Sequence, residues 1–226
     1  MNAIEAARLI DVSAVQAYHG KRDIDELISY ARTYRFISVH SLPSWTKYLS
    51  EAIADCPDIL VGAPVGFPSG GSCTEVKIVE ARQLIADGVQ EMDMVLNIGK
   101  LKSAEYSYVV DEIKRIREVS DDLPLKVILE TYYLTSDEIK RGCELCIQAG
   151  ADFVKTGTGW APGGATVEIV KFIKGFVGSS IKLKASGGIR DAETFSHMLE
   201  LGVDRFGINV QTSIEIVEAF GRGEVL

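Results

Sequence analysis

Gly150-Ala-Asp-Phe-Val-Lys-Thr-Gly-Thr-Gly159 reads as a short apolar strand, Asp152 to Lys155, that delivers one lysine into a loop of threonine and glycine. Burial strips an ammonium of water and penalises its charged form. A lysine at the outgoing end of such a strand therefore asks for a chemical role.

Short β-branched runs alternate with helix-period segments on both sides of this stretch. The strands read Leu9–Ser13, Phe36–Ser41, Ile59–Phe67, Glu91–Asn97, Leu125–Glu130, Asp152–Lys155, Ile181–Ala185 and Arg205–Asn209. The helices read Ile24–Tyr34, Ser44–Ala54 with Ser44 as N-cap, Thr74–Ala86, Ala104–Val119, Asp137–Ala149, Thr166–Phe176, Ala192–Leu201 and Ser213–Phe220. Strict alternation implies right-handed crossovers and a parallel sheet, and eight units suit an α/β fold closed as a (β/α)8 TIM barrel, one domain over residues 1–226. An open doubly wound sheet is the alternative.

Composition sets outer limits. The chain has 226 residues, 46% of them hydrophobic and 25% charged, enough for a large core. A net charge of −8 without a basic block argues against a nucleic-acid partner. No apolar run approaches a membrane span and Met1 to Arg8 lacks signal-peptide character, so a cytoplasmic protein without a membrane partner is expected. Cys56, Cys73, Cys143 and Cys146 read as free thiols. Cys143 and Cys146 fall late in a helix, away from the N-terminal position of a redox pair, and no second Cys/His pair suggests a metal.

Active sites of such barrels lie where strands end and βα loops begin. That rule selects Asp11, His40, Asp93, Asn97, Lys126, Glu130, Lys155, Lys184 and Asn209. Inward-facing residues alternate, so Lys182 and Lys184 share a face, with Lys184 nearer the catalytic end. Lys155 and Lys184 then sit on adjacent strands at matching depth. Like charge and desolvation both disfavour protonation, so at least one should hold a free amine near neutrality. A neutral amine in a barrel mouth attacks carbonyls and forms a Schiff base. Either lysine could instead only pair with a carboxylate. Asp93 could move the protons that imine chemistry requires, or serve as the buried partner of Lys126 or of the two central lysines. His40 should face the mouth, touching substrate or making a core hydrogen bond.

The residues resemble one known family. Gly66-Phe-Pro68, Thr74-Glu-Val-Lys77, Glu91-Met-Asp-Met-Val-Leu-Asn-Ile-Gly99, Lys126-Val-Ile-Leu-Glu-Thr131, Ala151-Asp-Phe-Val-Lys-Thr-Gly-Thr-Gly159, Gly163-Gly-Ala-Thr166 and Lys184-Ala-Ser-Gly-Gly-Ile-Arg190 are similar in kind and order to the blocks of deoxyribose-phosphate aldolases. Those are class I aldolases that reversibly cleave 2-deoxy-D-ribose 5-phosphate to glyceraldehyde 3-phosphate and acetaldehyde. The resemblance implies Lys155 as the Schiff-base lysine, Lys184 as the neighbour that depresses its pKa, Asp93 as the proton-transfer acid and Lys126 beside it. A substrate and phosphate site is expected to draw on Asp11, His40, Thr158, Gly159, Gly187, Gly188, Arg190, Gly207 and Asn209. No metal or cofactor is implied. The partner is a small aldehyde or sugar phosphate, with self-association into a homo-oligomer allowed.

Four departures stand against the match. The family's Ile-Asp-His-Thr is Ile10-Asp-Val-Ser13, and its Val-Cys-Val-Asn-Pro is Val39-His-Ser-Leu-Pro43, which places His40 where a cysteine is usual. Its Lys-Thr-Ser-Thr-Gly is Lys155-Thr-Gly-Thr-Gly159, and the serines that follow its last strand are replaced in Gly207-Ile-Asn-Val-Gln211. Two alternatives follow: an aldolase of the same mechanism with a different or unphosphorylated acceptor, or a non-catalytic barrel that only binds.

Overall fold

A computed structural model describes residues 1–224. Eight parallel strands close into one barrel, each hydrogen-bonded to its sequence neighbours, with β1 paired to β8. They are β1 (Ile10–Ala14), β2 (Ser38–Ser41), β3 (Leu60–Val65), β4 (Glu91–Val95), β5 (Leu125–Ile128), β6 (Phe153–Lys155), β7 (Lys182–Ser186) and β8 (Arg205–Asn209). Closure rules out the open-sheet alternative.

Ten α-helices surround them among the described residues: α1 (Ala3–Ala7), α2 (Lys21–Tyr34), α3 (Thr46–Ala52), α4 (Thr74–Ala86), α5 (Ile98–Lys102), α6 (Tyr106–Ser120), α7 (Ser136–Gln148), α8 (Val167–Val177), α9 (Ala192–Glu200) and α10 (Val210–Arg222). Two of them were absent from the sequence reading. The short α1 is fixed by a capping box between Asn2 and Glu5 and packs on α10. The equally short α5 begins because the Asn97 side chain accepts from the Lys100 amide, which takes Asn97 out of the strand. Ser44 is not a cap. It lies inside a 3-10 turn, Pro43–Trp45, and α3 starts without a side-chain cap.

The two faces of the barrel strands differ sharply in chemistry. Outward positions such as Val39, Val61, Met92, Val127, Leu183 and Phe206 are buried against the helices and form the apolar core. Inward positions are largely polar or charged: Asp11, Ser38, His40, Glu91, Asp93, Lys126, Lys184 and Arg205 are all buried. Gly62, also inward, provides the room that one of these needs. A Cβ there would stand 2.1–2.6 Å from three atoms of the His40 ring, far inside van der Waals contact.

Outside the barrel, a second buried pair sets the loops at its catalytic end. Lys77 on α4 donates to the Val95 carbonyl at 2.8 Å and pairs with Glu112 on α6 at 2.9 Å. Glu112 accepts from the Asn97 amide, and Glu80 on α4 accepts from the Gly66 amide at 2.6 Å. These contacts fix the exits of β3 and β4. Burial pushes the Lys77 ammonium down and the Glu112 carboxyl up from their ordinary pKa values.

Gly62→Ala is expected to lose about 1–3 kcal/mol of stability, as overpacking of a dense core does. Chemical denaturation of both proteins tests this. A variant as stable as its parent would show that the ring can move aside at no cost.

Candidate active site

Parallel register brings the charged residues together. Lys155 is paired in register with Lys184 across β6 and β7, and Asp93 with Lys126 across β4 and β5. Asp93 receives three ammonium groups: Lys184 at 2.6 Å and Lys155 at 2.8 Å on Oδ2, and Lys126 at 3.2 Å on Oδ1. Lys184 bridges to Asp11 at 2.5 Å. Asp93 thus holds all the partners its structural reading anticipated while also standing beside the candidate nucleophile.

Two residues that sequence reasoning did not single out complete the network. Glu91 pairs with Lys126 at 2.8 Å and accepts from His40 Nε2 at 2.9 Å, and Arg205 contacts both Glu91 and Asp11. A usable signal was present. Glu91 lies two residues before Asp93 and Arg205 two before Gly207, so strand parity points both inward.

The electrostatics follow from burial and these contacts. Burial alone would raise the Asp93 carboxyl, but Lys126, Lys155 and Lys184 outweigh it and hold Asp93 well below the usual range. Asp11 is likewise drawn down to about 2, where Lys184, Lys126 and Arg205 overcome burial and the repulsion of Glu91. Lys155 moves the other way. Burial, reinforced by Lys184 and Lys126 and opposed by Asp93, lowers its pKa to about 8. Desolvation is thus the largest cause of the shift, with the neighbouring lysine contributing less.

Two connected spaces lie above the network. An inner chamber of about 30 Å3 is lined by Asp11, His40, Asp93, Lys155, Thr158 and Lys184, together with Ser13, Val15, Pro64, Phe67, Ser186 and Gly207. Gly207 is small for Lys184, since a Cβ there would come within 3.1 Å of the lysine Cε and 2.7 Å of Ser186 Oγ. An outer pocket of about 280 Å3 shares Ser13, Val15, Thr158, Ser186 and Gly207 with the chamber and adds Gly159, Gly187, Gly188, Arg190 and Asn209. Its loops touch backbone to backbone, because a Cβ on Gly164 would sit 2.3 Å from the Gly187 carbonyl carbon.

Each residue expected at the site can now be placed. Lys155, Lys184, Asp93, His40 and Asp11 surround the inner chamber, and Gly159, Gly187, Gly188, Arg190 and Asn209 the outer pocket, with Thr158 and Gly207 on both. Lys126 reaches neither. It is fully buried beneath them as a counter-ion of Asp93 and Glu91. Asp11 serves the same network, and its carboxylate is occupied by Lys184 and Arg205. Asn209 caps α10 by accepting from the Thr212 amide.

Glu130, at positive φ, is buried and binds the Thr158 amide and hydroxyl, which shapes the loop after Lys155. Trp160 on that loop donates its indole N–H to the Val15 carbonyl at 3.0 Å and meets Phe67 edge to face. The contact spans the loops after β6, β1 and β3. Asp11, His40 and Asp93 also present ligand atoms within 4.8 Å of one another. Lys184 already fills the cation position between the two carboxylates.

Comparison with known proteins gives the same picture. The DeoC/LacD family aldolase model matches residues 54–208. The chain belongs to that family.

Among this aldolase's curated relatives, the deoxyribose-phosphate aldolase of Klebsiella pneumoniae is 47% identical over 205 residues, covering 90% of this chain and 82% of that protein. The deoxyribose-phosphate aldolase of Thermococcus kodakarensis is 43% identical and covers 96% of this chain and 98% of its own. In three dimensions the chain superposes on the aldolase QR15 with a TM-score of 0.91 at 39% identity, covering 98% of each chain. On the Aeropyrum pernix deoxyribose phosphate aldolase the TM-score is 0.88 at 26% identity, covering 97% of this chain and 92% of that one.

Lys184→Met is expected to raise the Lys155 pKa above about 8, because it removes a like charge and frees Asp93 to hold the Lys155 proton. Each unit regained cuts the free amine about tenfold below that pKa. Borohydride trapping of an aldehyde across pH reads the shift. An unchanged profile would show that Lys184 does not tune the amine.

Proposed function

We propose that this protein is a class I carbon–carbon lyase that reversibly cleaves 2-deoxy-D-ribose 5-phosphate to glyceraldehyde 3-phosphate and acetaldehyde. The observation that carries the reading is a buried amine with a pKa of about 8, Lys155, at a small chamber that opens under a larger glycine-lined pocket bearing one arginine. Curated relatives at 41–47% identity carry the name deoxyribose-phosphate aldolase.

The geometry suggests the order of chemistry. The free Lys155 amine attacks the sugar aldehyde, and loss of water gives an imine whose nitrogen draws electrons from the carbon–carbon bond two atoms away. Asp93, circled by ammonium groups that hold its carboxyl well below the usual range, enters this reading as a carboxylate. Its part is to hold Lys155 and Lys184 in place and to favour positive charge on the imine. Lys184, hydrogen-bonded to Asp93 beside Lys155, is the proton donor for the departing hydroxyl. Glyceraldehyde 3-phosphate leaves first, the enamine left on Lys155 takes a proton from water on its terminal carbon to become a two-carbon iminium, and hydrolysis of that iminium releases acetaldehyde and returns the amine.

The outer pocket is the phosphate site in this reading. Gly187 and Gly188 follow β7 with positive φ, Arg190 is exposed on the rim, and Asn209 opens α10, whose first-turn amides carry partial positive charge. Self-association fits the same reading, since the A. pernix relative is described as tetrameric.

Acetaldehyde plus borohydride is expected to leave a stable adduct on Lys155 by intact mass and peptide mapping, and Lys155→Ala to lose adduct and turnover together. Unmodified protein after trapping, or an active alanine variant, would refute the imine.

The phosphate loop makes a separate prediction. Asn209 and Val210 stand where relatives carry serines, and a lost charge-assisted hydrogen bond removes roughly 1.5–3 kcal/mol. The preference in kcat/KM for the phosphorylated over the unphosphorylated sugar is expected to be smaller than in serine-bearing relatives. Asn209→Ser/Val210→Ser should raise it by about tenfold per 1.4 kcal/mol recovered. Equal preference in all three proteins would place phosphate recognition on the glycines and Arg190.

A further inference from the structure

His40 is buried, with only 4% of its surface exposed, yet its two ring nitrogens have different surroundings. Nε2 lies 2.9 Å from Glu91 Oε1, and also faces Ser38 Oγ at 3.2 Å and Asp11 Oδ2 at 3.6 Å. Lys126 and Arg205, against the effect of burial, keep the Glu91 carboxyl well below its ordinary range, so it accepts and cannot donate. Nε2 must then carry the proton. Turning the ring over would aim a C–H at the carboxylate and lose that bond, so Glu91 fixes both tautomer and orientation.

Nδ1 is left with its lone pair. Among the described residues it has no hydrogen-bond partner, and it is not among the polar atoms sealed from solvent without one. His40 lines the inner chamber with Lys155, and Nδ1 is the ring nitrogen left free to meet a ligand there. Gly62 makes the position possible, because any side chain there would displace the ring.

We infer that His40 Nδ1 is the base that takes the proton of the substrate's β-hydroxyl when the carbon–carbon bond breaks. The inference rests on the Lys155 imine reading above. The hydroxyl O–H bond breaks as Nδ1–H forms, and the oxygen's electron pair makes the carbonyl of the departing aldehyde. The pair of the broken C–C bond becomes the enamine double bond, and the imine nitrogen is neutralised. The imidazolium gives its proton to water once the aldehyde has left, and in synthesis the ring returns a proton to the new alkoxide.

Elimination among the chamber's own groups supports this assignment. Asp93 is in contact with the nitrogens of Lys126, Lys155 and Lys184 at 2.6–3.2 Å and Asp11 with those of Lys184 and Arg205, Lys184 lies between the two carboxylates, and Lys155 is consumed in the imine. The Ser13 hydroxyl donates to the Ile208 carbonyl and that of Thr158 to Glu130. The imidazole is neutral near pH 7, because burial and the Lys184 ammonium lower its pKa. When protonated it faces Glu91 and Asp93 on β4 and Asp11 on β1, with Lys184 on β7 opposing and Arg205 on β8 shared with Glu91.

The test separates cleavage from steps that involve no β-hydroxyl. His40→Gln keeps a donor toward Glu91 but removes Nδ1, and His40→Asn keeps an acceptor near Nδ1 that cannot take a proton. Both should lower cleavage of 2-deoxyribose 5-phosphate by about 10²-fold and abolish the acid limb of its pH profile. Deuterium exchange into the methyl group of acetaldehyde, which involves no β-hydroxyl and whose activated C–H can lose its proton to chamber water, should fall far less than cleavage does. Cleavage and exchange falling together, unimpaired cleavage, or full rescue by asparagine would each overturn the base role. A wild-type protein that neither traps nor exchanges acetaldehyde would instead overturn the aldolase reading itself.

Discussion

Charge balance inside a water-poor barrel governs the architecture of this protein. Asp11, Glu91 and Asp93 face Lys126, Lys184 and Arg205, three carboxylates against three basic side chains, in direct contact. Lys155 is the seventh member, and its proton would add a charge that nothing in the set compensates. Uncompensated buried charge is expensive, and the group responds by holding its proton less tightly. The reactive amine is thus a consequence of the whole network, with burial its largest cause and the adjacent lysine a contributor.

The same balance explains why the charges are packed so tightly. A buried ion pair gives little net stability, but removing one partner leaves the other desolvated and alone. Each of these residues therefore constrains the next, and small inward residues leave room for long ones: Gly62 for His40, Gly207 for Lys184. The Lys77–Glu112 pair repeats the device outside the barrel, where it holds the loop exits and not the chemistry.

Much of this was legible in the sequence, for identifiable reasons. The alternation of β-branched runs with amphipathic helices fixed the barrel, and the strand-end position of Lys155, Lys184 and Asp93 selected the chamber. The ends of β3, β4 and β5 were each overextended by two residues, at β4 because the Asn97 cap ends the strand without changing its apolar pattern. The short α1 and α5 were missed because five residues cannot show helical periodicity. Glu91 and Arg205 escaped notice because they lie one layer below the strand ends, where position alone suggests structure. Lys126, by contrast, looked catalytic from its strand but is shut off from both spaces by its depth.

The inner chamber, at about 30 Å3, accommodates on the order of one or two waters. A two-carbon fragment tethered to Lys155 and a full complement of solvent do not fit there together. Side chains whose first duty is to neutralise one another thus also limit how much water can reach the Lys155 amine once it carries a carbon fragment.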